Sequence, residues 1–169
     1  MTLPSKLSVE QDQFLEIVRG EDELGVVIRS HIYVESALVY LLKQLVTNSA
    51  FLDRLDLDYA QRVNLAVALG LKAGHAPPLL ALGTIRNTFA HKLDTKLTKD
   101  KVDSLYKQFS PSDKEILHAS FKQTMSKVSS IGVDDLRKLP PKDQFALLAI
   151  ALRSLLLTAI TELEANANA

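Results

Sequence analysis

The strongest constraint on this chain is the spacing of apolar residues between positions 21 and 46. Leu24, Ile28, Ile32, Leu38, Leu42 and Leu45 recur at helical intervals, and Val27 and Val34 widen the stripe. A stripe of that period lies along one side of a helix and has to be buried against other elements. Glu21, Asp22 and Glu23 place negative charge in the first turn, where the helix dipole favours it. Thr47, Asn48 and Ser49 end the segment.

The same period recurs along the chain. Residues 8–19 carry Phe14, Leu15 and Val18 behind Glu10 and Asp12, and Gly20 follows, which predicts a shorter amphipathic helix. Residues 58–72 put Val63, Ala66, Val67 and Leu71 on one face, with Asp58 as N-cap and Gly74 as the stop. Pro77 and Pro78 open a fourth helix reaching about His91, because proline's missing N–H costs nothing in a first turn. Residues 94–98 read as a turn. Residues 99–109 and 112–129 predict two polar-faced helices, the second opened by a Ser112–Glu115 capping box. Pro140 and Pro141 start the last helix, which runs through Leu163; residues 165–169 have little to order them. No β-alternation and no internal repeat appears. The expectation is an all-α fold, a single-domain bundle of six to seven helices over residues 1–164.

Composition narrows the function classes. The 169 residues include no Cys, which removes disulfides, thiolate zinc sites and a cysteine nucleophile. Residues 1–8 hold one Lys and no apolar core, so they do not read as a secretion signal. The most apolar stretch, 145–160, is broken by Arg153, Ser154 and Thr158 and falls short of the ~20 residues of a membrane span. It reads as a buried helix of a soluble, cytoplasmic protein with no membrane partner. That helix is apolar on more than one side, which fits either the centre of the bundle or a subunit interface.

Charge is neutral overall but uneven. Residues 1–60 hold 5 basic and 10 acidic side chains, whereas residues 61–127 hold 11 basic and 5 acidic. Lys92, Lys96, Lys99, Lys101 and Lys107 crowd the segment after His91. They form either a solvated face or a modest patch for phosphates or an acidic partner. The helix after the 73–78 turn is apolar at Leu79, Leu80 and Leu82, where a recognition helix would be polar, so direct sequence-specific DNA binding is not expected.

The residues richest in chemistry are Arg86, Asn87 and His91. Asn87 and His91 are i, i+4 and share a helix face, while Arg86 lies about 140° from His91 and is long enough to bend toward it. Ile85 and Phe89 point away, into a core. Arg can hold a phosphate by two parallel bonds, and His can move a proton near neutral pH. Upstream, His31 and Glu35 are also i, i+4 beside the apolar stripe, and a carboxylate there needs a partner, for which Arg86 is the natural candidate. Arg86, Asn87, His91 and Glu35 are thus the candidate catalytic set, and His31, Lys92, Lys96 and Lys99 the candidate binding residues. The alternative is a buried Glu35–Arg86 ion pair with His91 serving only the helix dipole. His75 and His118 look like loop and surface residues. No spacing in the chain names a metal site or a cofactor.

Leu65-Ala66-Val67-Ala68-Leu69-Gly70-Leu71, followed by Ile85-Arg86-Asn87-Thr88-Phe89-Ala90-His91, resembles the core of the mannitol operon repressor family. Glu35-Ser36-Ala37-Leu38 and Leu41-Leu42 fit the same pattern, so the resemblance covers roughly residues 20–110. That family sits within a broader all-helical set related to HEPN domains. The resemblance implies a self-associating bundle, a homodimer, that regulates transcription through a protein partner and has no DNA-binding motif of its own. HEPN domains with Arg-Asn-x-x-x-His are often metal-independent ribonucleases, which makes RNA the alternative partner. On that alternative Arg86 would orient the scissile phosphate, Asn87 would hold the site in register, and His91 would move the proton of the ribose 2′-hydroxyl. Two such sites would face each other across the dimer.

Overall fold

The computed structural model describes residues 20–92, 94–127 and 135–167, and the side chains of 123–127 and 167 fall outside it. The helix expected over 8–19 lies outside the described residues. Among the described residues there are seven α-helices and no strand, so the fold is all-α.

Helix α1 spans Glu23–Leu45, two residues inside its expected start, because the Asp22 carboxylate accepts the Gly25 N–H at 2.7 Å and caps it. Its buried face runs through Val26, Val27, Val34, Ala37, Leu38, Leu41 and Leu42. Leu24 and Ile32, expected in the buried stripe, are about half exposed, at 49 % and 51 %. The sequence offers two overlapping stripes, and packing against three neighbours at once selects the Val27–Val34–Leu38 one. A single turn, α2 (Ser49–Leu52), follows and was not foreseen; Lys43 Nζ ties it back through Asp53 Oδ2 at 2.9 Å.

Helix α3 (Tyr59–Ala68) opens with the capping box that Asp58 forms with Gln61, each side chain bonded to the other's backbone N–H. It ends at Gly70, not at Gly74 as expected. Gly70 takes φ +118°, its N–H reaches the Val67 carbonyl, and the Leu71 N–H reaches that of Ala66. That pattern closes a helix with a left-handed glycine. A 3₁₀ turn (Ala73–His75) leads into α4 (Ala76–His91), whose first turn holds the two prolines.

Helices α5 (Lys99–Gln108) and α6 (Pro111–Lys127) come next, then a 3₁₀ turn (Leu136–Lys138) and α7 (Pro141–Ala167). The cap of α6 sits two residues earlier than predicted: the Ser110 hydroxyl, not that of Ser112, accepts the Asp113 N–H at 3.1 Å and donates to Asp113 Oδ2 at 2.7 Å. Helix α7 continues past Leu163 to Ala167.

The frame is a parallel pair, α1 beside α7. Near their starts Lys142 Nζ donates to the Glu21 carbonyl at 2.9 Å; near their ends the Tyr40 hydroxyl lies 3.4 Å from Glu164 Oε1. Phe145, Leu148, Leu152 and Leu156 of α7 and Leu38, Leu41 and Leu42 of α1 are fully buried at this seam. By length and composition both helices could cross a membrane; here they pack on one another and on the rest of the bundle. Helix α1 also packs against α3 and α4, α4 against α5, and α5 against α7. Among the described residues no other helix runs close along α6. It is anchored by single side chains, notably Leu117 and Phe121.

Candidate functional site

Helices α1, α3 and α4 meet around Glu35, but the partner of Glu35 is not the expected one. Arg62 of α3 donates from Nη1 to Glu35 Oε1 at 2.5 Å. Arg86 instead donates to the side-chain oxygen of its neighbour Asn87 at 2.9 Å. The expected Glu35–Arg86 pair is therefore replaced by Glu35–Arg62. The reason is register: α3 presents Arg62 one turn after its capped start, on the side facing α1, closer than α4 brings Arg86.

His31 is sealed under this pair, 2 % exposed, with Nδ1 3.5 Å from Glu35 Oε2. It cannot serve as a surface ligand. The Tyr59 ring packs on it, centroids 4.4 Å apart and planes tilted by 52°. Burial lowers the imidazole pKa; the Glu35 carboxylate opposes that shift, and the nearby Arg86 guanidinium adds to it. The Tyr59 hydroxyl is buried with no hydrogen-bond partner, and burial together with the Glu35 charge raises its pKa. Its ring reaches this place only because position 83 of α4 is glycine. A Cβ there would stand 2.7 Å from Tyr59 Cδ1 and 2.9 Å from Cε1.

Of the rest of the predicted set, Asn87 and His91 are exposed one turn apart on α4, whereas Arg86 is half-buried, between them and the sealed His31. Ile85 and Phe89 are buried on the other side, as the spacing required. The lysines that follow do not act together. Lys99 Nζ is held by the Arg137 carbonyl and the Gln144 side-chain oxygen and lies 3.2 Å from Asp103 Oδ1, so it clamps α5 to α7 and is not a free phosphate ligand. Lys101 Nζ caps the Lys96 carbonyl and sits 5.6 Å from the centre of the Phe89 ring. Lys92, next in the chain to His91, and Lys96 are both exposed.

Two residues missed from the sequence complete the inner cluster, Arg62 and Tyr59. The readable signal was Gly83, since a glycine inside a helix costs about 1 kcal/mol against alanine and so marks a close approach. His75, expected in an exposed loop, is buried: its Nδ1 lies 3.4 Å from Asp113 Oδ2. His118 is half-buried and shares a 2.7 Å hydrogen bond with the Tyr106 hydroxyl. Among the described residues no group of three or more His, Asp and Glu side chains could hold a metal ion.

The geometry thus divides into an inner lock (His31, Glu35, Tyr59, Arg62) and an outer row (Arg86, Asn87, His91, Lys92). Comparison of the chain with known protein families, curated proteins and solved structures returns no match.

Proposed function

We propose that the chain is a regulatory interaction module of the mannitol operon repressor type, acting on transcription through a protein partner and not by reading bases itself. The observation that carries this reading is the outer row of α4. Asn87 and His91 stand exposed with Arg86 beside them, and Glu35 is already engaged by Arg62. A guanidinium, an amide and an imidazole held on an open helix face suit an acidic partner surface, where such groups set specificity and encounter rate. With its carboxylate committed elsewhere, Arg86 has no fixed acid to aim it at a scissile phosphate. The same reading carries a homodimer and a cytoplasmic location.

The test is a pull-down with the pure chain and its Arg86→Glu variant, alongside operator DNA and the pure chain alone. The reading expects a stable protein partner that the variant loses, and no DNA shift by the chain alone. A tight, salt-sensitive shift of specific DNA by the pure protein overturns it.

A second reading rests on the Arg86–Asn87 hydrogen bond and the shared face of Asn87 and His91, which match the needs of a metal-independent ribonuclease. Arg86 would grip the phosphate while His91 takes the 2′-hydroxyl proton, and the freed 2′-oxygen would attack phosphorus and expel the 5′-oxygen, which takes its proton from water. Cleavage of single-stranded RNA that survives EDTA and disappears in His91→Ala supports this reading; no cleavage by the pure wild-type chain removes it.

A further inference from the structure

A cavity of about 760 Å³ opens where α6 stands off from α7, floored by the end of α1 and the 70–75 turn. Its size falls within the range of ordinary small-molecule pockets, roughly 300–1,000 Å³. The walls are apolar, set by Leu41, Leu71, Phe109, Leu117, Phe121 and Ile150. One end is polar: His75 and Asp113, each 8 % exposed, line it with Ser110. None of the outer-row residues of α4 touches this space.

That polar end is unfinished. His75 Nδ1 is buried without a hydrogen bond; it lies 3.4 Å from Asp113 Oδ2, but the two are not aligned to bond. Asp113 accepts the Ser110 hydroxyl, and among the described residues no Lys or Arg pairs with it. The start of α6 supplies some positive potential, which explains why the carboxylate is tolerated. The Asp113 carboxylate thus lines the cavity with no Lys or Arg opposite it among the described residues, and its one ionic partner there is the poorly aligned His75, whose Nδ1 is sealed away from the cavity. Glu162 and Lys72, both exposed, also line the cavity.

We propose that this cavity binds a small lipophilic amine, its alkyl or aryl body between α6 and α7 and its ammonium group donating to Asp113. An ammonium brings the full positive charge and N–H donors that no Lys or Arg among the described residues supplies to this carboxylate. A carboxylate head would face Asp113 and be repelled. This site is independent of the function proposed for α4.

The experiment is calorimetric titration of the full chain with dodecylamine, dodecanol and dodecanoate, each below its micelle concentration. The expected result is saturable binding of one amine per chain, at least about tenfold tighter than dodecanoate. Asp113→Asn should erase the preference for amine over alcohol while leaving dodecanol binding in place. Ala151→Trp, which fills the cavity from α7, should abolish binding of all three; if that variant fails to fold, Ser154→Phe fills the same wall. The proposal is overturned if the amine does not bind saturably, if dodecanoate binds as well as the amine, or if a folded cavity-filled variant binds unchanged.

Discussion

Two histidine–carboxylate pairs occur in this bundle at nearly one separation, and their surroundings give them opposite characters. His31 and Glu35 are 3.5 Å apart, and His75 and Asp113 are 3.4 Å apart. Around the first, Arg62 neutralises the acid and Tyr59 covers the imidazole. Around the second there is one serine hydroxyl and an apolar cavity. The pair itself does not decide between structure and binding; its third and fourth neighbours do. Where helices pack closely, as α1, α3 and α4 do, those neighbours are protein. Where a helix stands off, as α6 does, the places are left for something else.

The difference in packing can be tested with two glycines. Gly83→Ala drives a methyl group into the Tyr59 ring at 2.7 Å, whereas at Gly74 the nearest atom to a new Cβ is Ser110 Cβ at 3.9 Å. Overpacking costs about 1–3 kcal/mol, against up to about 1 kcal/mol gained in helix propensity. With the full propensity gain, Gly83→Ala should therefore lose about 0–2 kcal/mol in urea denaturation, and Gly74→Ala should change little. A stabilised Gly83→Ala protein would contradict the closed description of the first pair.

A smaller effect separates the pairs by pH. Burial holds His31 below its ordinary pKa of about 6.5, so in acid the unfolded chain takes up a proton that the folded chain resists. Stability should be unaffected by this group above that value and should fall as pH drops below it. His31→Gln should flatten that part of the profile. A His31→Gln protein with an unchanged acid limb would show that the imidazole is not sealed.

The smallest effect is expected on the outer row. His91 is exposed and makes no hydrogen bond or ion pair among the described residues, so His91→Ala should stay within about 0.5 kcal/mol of wild type in thermal unfolding. A larger loss would move His91 from the outer row into the fold.

Most of the helices were legible because their signals are local. The proline pairs, the Asp58 cap and the apolar periods each act within one or two turns, and the elements they predict within the described residues are present. Boundaries slipped where two signals competed: Gly70 ended α3 before Gly74 could, and Ser110 capped α6 before Ser112 could. At the site, the outward placement of Asn87 and His91 followed from helical phase. The partner of Glu35 did not, because it depends on how α3 and α4 are set along α1, which no local pattern encodes. His75 was misplaced for a related reason: its burial comes from α6, far along the chain, folding back to bring Asp113 beside it.

The account turns on which arginine belongs to Glu35. Double-mutant cycles on stability, using alanine at Glu35 with Arg62 and at Glu35 with Arg86, measure this directly. The expected result is a coupling of about 1 kcal/mol or more for Glu35–Arg62 and less than about 0.5 kcal/mol for Glu35–Arg86. The reverse order would return Arg86 to the inner cluster and contradict the division between a locked core and a row of α4 residues free to meet a partner.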